Sequence, residues 1–169
     1  MKSFLFGKSL TAILAFAMIV GIAATATAQR ADFSGDWKLD ESKSELGDFG
    51  GMAARSIKTE QKEDAVKVTK TSPGFNGGDP ITTTVILTFD GKVVEFEGFG
   101  GSKRKSTAKW SEDGKTLTVS NTIHFERDGE SFEFKSTENW TITTDGLLSI
   151  ATNSTSPRGE SSTKAIYKK

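Results

Sequence analysis

The chain has 169 residues, 22 basic and 22 acidic side chains, one His, no Cys and a formal net charge of +0. That length suits one domain with a modest core, the balanced charge argues against nucleic acid as a partner, and disulfides are excluded. Gly at 17 against Pro at 3, with recurrent Thr, Ser, Phe and Val, favours an all-β protein with many turns.

Residues 1–28 read as an export signal. Lys2 and Lys8 give a positive start, Leu10 to Ala24 an apolar run, and Ala26-Thr27-Ala28 a small-x-small cleavage site. The run is short for a membrane span, which needs about 20 residues, and no Cys stands at the cut to take a lipid. An uncleaved anchor is the rival reading. Cleavage after Ala28 leaves a slightly acidic mature chain from Gln29, with no membrane span and a periplasmic or secreted location. Without disulfides, its stability must come from a closed hydrogen-bonded sheet, so residues 29–169 are expected to form one β-barrel domain.

Four residues into the mature chain comes Phe33-Ser34-Gly35-Asp36-Trp37-Lys38-Leu39, in which Phe33, Gly35, Trp37 and Leu39 share one face of an extended strand. Strict alternation of this kind marks a strand with one buried and one wet face. Residues 41–53 have room for one helical turn and no more. Beyond them, Asp90-Gly91, Asp113-Gly114, Asp128-Gly129 and Asp145-Gly146 each separate alternating segments, a strong hairpin signal. The breaks define ten strands, at about 33–39, 54–62, 65–72, 81–89, 92–97, 102–111, 115–126, 130–143, 147–155 and 160–168.

Two-residue loops at the first three Asp-Gly pairs set Leu87 opposite Val94, Val85 opposite Phe96, Trp110 opposite Leu117, Ala108 opposite Val119, Phe125 opposite Phe132 and Ile123 opposite Phe134. A three-residue loop at Thr144-Asp145-Gly146 sets Ile142 opposite Leu148 and Trp140 opposite Ile150. Apolar meets apolar each time, as one buried face requires. The expected fold is a closed up-and-down antiparallel β-barrel of eight to ten strands, ten favoured, because closure buries the inner face and removes the edges.

Loops then alternate between two ends. The end with tight turns gathers Trp37, Trp110 and Trp140, the expected barrel floor. The other end carries long Gly-rich connections, each with a Phe beside Gly: Phe49, Phe75 and Phe99. These form either a portal rim for an apolar ligand or small clusters tucked under their loops.

The inner face at mid-height is polar. The registers place Ser106, Asn121 and Ser136 in one row, with Arg104 and Glu138 nearby and Thr152 and Ser154 completing the wall. A dry core would not tolerate so many polar groups, since each one buried unpaired costs about 1–3 kcal/mol; water or ligand inside the barrel would satisfy them. For Arg104 three readings stand open: a fork of donors for a ligand carboxylate, an internal ion pair with Glu138, or a strand register shifted by one that turns it outward among Lys103, Lys105 and Lys109. Chemistry has few candidates. His124 falls on the outer face, there is no Cys nucleophile, Gly-x-Ser-x-Gly, phosphate loop or cluster of metal ligands, and only a Glu138-centred acid/base site could carry catalysis. No cofactor, metal site or catalytic residue is assigned.

Gly35-x-Trp37, the ten-strand meander and the final strand resemble the calycins, the lipocalins and fatty-acid-binding proteins. The resemblance implies a barrel that holds a small hydrophobic or amphipathic molecule in its interior, with the Trp plugging its closed end. In fatty-acid-binding proteins an Arg-x-Tyr pair in the last strand holds the ligand carboxylate. The matching triplet here is Ala165-Ile166-Tyr167, which keeps the Tyr and lacks the Arg, so carboxylate binding of that type requires Arg104 to substitute. The helical lid of that branch is too long for residues 41–53. The reading is therefore a monomeric, exported, lipocalin-like barrel binding a small, mainly apolar ligand. The alternatives are a non-enzymatic scaffold that engages a protein or the cell envelope, and an isomerase or hydrolase using the same cavity.

Overall fold

The computed structural model describes residues 29–169 except 75, 76, 99–101, 128 and 158, with the side chains of 49–51, 125 and 127 also left undescribed. The export-signal reading of residues 1–28 therefore lies outside the described residues. Ten strands follow one another: β1 (Gly35–Leu39), β2 (Ser56–Gln61), β3 (Ala65–Ser72), β4 (Ile81–Thr88), β5 (Val94–Glu97), β6 (Lys103–Trp110), β7 (Leu117–Arg127), β8 (Glu130–Ile142), β9 (Leu148–Ser156) and β10 (Gly159–Lys168). Where a lid would sit, the β1–β2 connection holds only two 3-10 segments, Glu41–Lys43 and Gly47–Met52. No helix among the described residues is long and apolar enough to cross a membrane.

The strands form one antiparallel sheet in the order β4-β3-β2-β1-β10-β9-β8-β7-β6-β5. The first and last strands pair, Lys38 with Lys168 and Leu39 with Tyr167, so the meander curls into a nearly closed barrel. Three of the four hairpin registers form as the alternation requires, including Trp110 with Leu117, Phe125 with Phe132 and Trp140 with Ile150.

The fourth does not, and this corrects the register expected at Asp90-Gly91. No ladder joins β4 to β5, so the expected pairs of Leu87 with Val94 and Val85 with Phe96 are absent. Asp90 Oδ1 accepts from Thr88 Oγ1 at 2.7 Å and from the Lys92 amide at 3.1 Å, in an Asx-type turn with Gly91 at φ 75°; Asp113 accepts the same two contacts from Ser111 and Lys115 at a hairpin whose ladder forms, so these contacts are not the cause. Phe89 N meanwhile donates to Asp64 O at 2.8 Å, so the chain beyond β4 stays tied to the β2–β3 turn. Lys92 and Thr88 donate to the Asp90 carboxylate and hold its pKa down to about 2.

The inward alternate residues make the core, with Trp37, Ile57, Val66, Val68, Leu117, Trp140 and Leu148 almost fully buried. Their centre at the tight-turn end is Phe33, which precedes β1 and has no exposed surface. Its ring stacks on Trp110 at 5.4 Å and meets Trp140 edge-on at 5.9 Å. The preceding residues are bound to the barrel base through Ala31 N to Gly114 O at 2.9 Å, Phe33 N to Gln61 Oε1 at 3.1 Å and Gln61 Nε2 to Ala31 O at 2.9 Å. Gly35, at φ 147°, lets the chain end come close: a β-carbon there would lie 2.8 Å from Lys169 Cε, whose ammonium sits 4.9 Å from the Trp37 ring centre.

Candidate functional site

Alternation along β3 to β8 turns a mixed set of side chains into the lumen, and they line a cavity of about 140 Å³. Val68, Val85, Leu87, Phe96, Val119, Ile123 and Trp140 give apolar walls; Lys70, Thr83, Arg104, Ser106, Asn121, Ser136 and Glu138 give polar ones. The expected row is in place because the ladders set Ser106 opposite Asn121 and Asn121 opposite Ser136. Ser106 Oγ donates to Asn121 Oδ1 at 2.6 Å, and Asn121 Nδ2 faces Ser136 Oγ and Glu138 Oε1, each at 3.4 Å.

Glu138 is the most heavily engaged group. Lys70 Nζ donates to Oε1 at 2.9 Å and to Oε2 at 2.8 Å, and Trp140 Nε1 donates to Oε2 at 2.8 Å. Each carboxylate oxygen thus accepts two donors. The side chains are only 13% exposed for Glu138 and 30% for Lys70, so the pair is shielded well beyond the surface norm. Lys70 Nζ also lies 5.3 Å from the Trp140 ring centre.

Arg104 is inward: it stands opposite Phe96 and Ile123, and its side chain lines the cavity. The register-shift reading is thereby removed. The ion pair of Glu138 is made with Lys70, and Arg104 Nε is buried with no hydrogen-bond partner among the described residues. Burial lowers the Arg104 pKa, and the charge of Glu138 acts in the opposite direction. The Arg104 side chain passes against the backbone of Gly98, at a place a β-carbon would occupy. With two cations and one carboxylate among its lining residues, the cavity has an excess of positive charge.

The remaining expected residues lie elsewhere. Of the three Trp, only Trp140 borders the cavity; Trp110 packs on Phe33 from below, and Trp37 Nε1 donates to Phe33 O at 2.9 Å and to Thr59 Oγ1 at 3.2 Å. Tyr167 is buried on β10 but is not part of the lining. Its hydroxyl pKa is raised by burial and further by the charge of Glu138. Thr152 and Ser154 stand opposite Glu138 and Ser136 without reaching the cavity. Phe75 and Phe99, and the side chain of Phe49, lie outside the described residues. His124 points outward, 3.5 Å from Glu133. Lys70 was not anticipated, although its signal was available: Val66, Val68 and Lys70 alternate on one face of β3.

Comparisons with known proteins are sparse. No protein-family model and no curated protein matches the chain. A solved structure of zebrafish ileal bile acid-binding protein, complexed with cholic acid, is similar at a TM-score of 0.49 and 20% sequence identity, over 81% of this chain and 98% of that one.

Proposed function

We propose that this barrel is an exported binding protein that holds a small, mainly apolar molecule with one anionic or strongly accepting end. The observation that carries the reading is Arg104: its side chain lines a cavity whose other residues are about half apolar, and its buried Nε has no hydrogen-bond partner among the described residues. A buried donor left unpaired costs about 1–3 kcal/mol, which a ligand acceptor or water would offset. A guanidinium also offers a carboxylate two parallel bonds. A cavity of about 140 Å³ matches the roughly 150 Å³ that holds one benzene molecule, so the ligand suited to this arrangement is short. The four contacts on Glu138 speak for a fixed counter-ion and against a proton acceptor, which weakens the isomerase or hydrolase alternative.

Hexanoate and hexanol serve as probes. Arg104→Met is expected to weaken hexanoate binding about tenfold to a hundredfold, the scale of a hydrogen bond to a charged group, with hexanol little changed. Equal hexanoate affinity in both proteins, measured by calorimetry, would remove Arg104 from the binding site. Export makes a separate demand: protein recovered from the periplasm or medium of its own host should begin at Gln29. An intact Met1 terminus there would contradict it.

A further inference from the structure

The ion pair of Lys70 and Glu138 crosses the lumen. Lys70 is on β3 and Glu138 on β8, and in the sheet order β2, β1, β10 and β9 separate them on one side, β4, β5, β6 and β7 on the other. The two residues therefore project from opposite walls, and their charged ends meet at 2.8–2.9 Å. The cavity respects this line. Every residue that borders it belongs to β3, β4, β5, β6, β7 or β8, and none to β9, β10, β1 or β2.

Building on the ligand-binding reading above, we propose that the Lys70–Glu138 pair is a partition that divides the lumen and sets the size limit of the ligand. The pair is well suited to that work. Glu138 is fixed by Trp140 Nε1 at 2.8 Å, so one abutment of the bar is fastened to the wall. Lys70 is held to both carboxylate oxygens and lies over the Trp140 ring, which leaves its long stem stretched across the barrel instead of folded along β3. Two charges drawn this far from water separate reluctantly, because either one left alone is poorly solvated. A chain entering from the β4–β7 side therefore meets a charged bar, and an apolar tail long enough to pass it must break the pair.

The test is the length dependence of binding for straight-chain carboxylates from butanoate to hexadecanoate, by calorimetry, in the wild-type protein and in Lys70→Ala/Glu138→Gln. Gln keeps an acceptor for Trp140 Nε1 while removing the charge that would otherwise lack a partner. In the wild type, affinity is expected to climb about fourfold for each buried methylene and then to stop at a short chain. In the double variant the climb should continue over several further carbons, and a long acid excluded by the wild type should bind at least tenfold more tightly. The same cut-off in both proteins, with binding otherwise intact, overturns the partition alone. Binding of no acid by either protein overturns the ligand-binding reading and the partition with it. A crystal structure of the wild type with hexanoate gives a check that needs no variant: a chain on the β4–β7 side of an intact Lys70–Glu138 pair supports the proposal, and a chain lying across the line between those residues overturns it.

Discussion

Phe33→Ala should destabilise the barrel by about 3–5 kcal/mol, the range for removing a fully buried ring. Folding stabilities of single domains lie at about 5–15 kcal/mol, so this one substitution outside every strand threatens the whole fold. Three losses combine. The ring has no exposed surface, so its apolar burial is lost completely. It stacks on Trp110 with an interplanar angle of 7° and meets Trp140 at 81°, and such aromatic pairs add about 0.5–1.5 kcal/mol beyond area. The hole left behind lies between two large indoles anchored on β6 and β8, which cannot collapse into it without moving their strands. Urea denaturation should show a lower midpoint at an unchanged slope, and Phe33→Leu should recover most of the loss. A cost below about 1 kcal/mol for Phe33→Ala would mean that the base closes without this residue.

Much of this barrel could be read from its local chemistry. Asp-Gly pairs mark turns because Gly accepts positive φ and Asp closes the turn with its own side chain; between them, period-two alternation leaves a single register in which apolar faces meet. Those two signals yielded the strands and the row Ser106, Asn121 and Ser136. They failed at Asp90 for a reason outside the turn. Phe89 N donates to Asp64 O, which ties the chain beyond β4 to the β2–β3 turn, and the dipeptide alone does not reveal a contact made to another hairpin. Lys70 illustrates a second limit. Its inward direction follows from Val66 and Val68, but its partner lies across the lumen, and ladder registers relate neighbours within the sheet and not residues on facing walls. A pair of Arg104 with Glu138 is accordingly one of the three readings the sequence leaves open, while Glu138 is taken up by the lysine opposite. The tight packing of Phe33 has the same origin, since it depends on Trp110 and Trp140 arriving from distant strands.

The cross-lumen pair carries the second large effect, and its signature is non-additivity. Lys70→Met alone should destabilise by about 3 kcal/mol, because it leaves the Glu138 carboxylate inside the barrel without its cation. Asn121 and Trp140 Nε1 remain as donors, and Glu138 retains 13% exposure, which keeps the loss at the lower end of the range for broken buried pairs. Glu138→Gln alone strands the ammonium in the same way, with part of the cost relieved by its greater 30% exposure. The double variant Lys70→Met/Glu138→Gln removes both charges, and the Gln carbonyl still accepts from Trp140 Nε1. Its loss should therefore be smaller than that of Lys70→Met, with a coupling of about 1–3 kcal/mol between the sites. Additive losses would show that the residues do not interact in solution, and the lumen would then have no charged bar. A double variant as stable as the wild type would agree with the general finding that buried ion pairs contribute little net stability. It would also leave division of the lumen as the consequence by which this pair matters to binding.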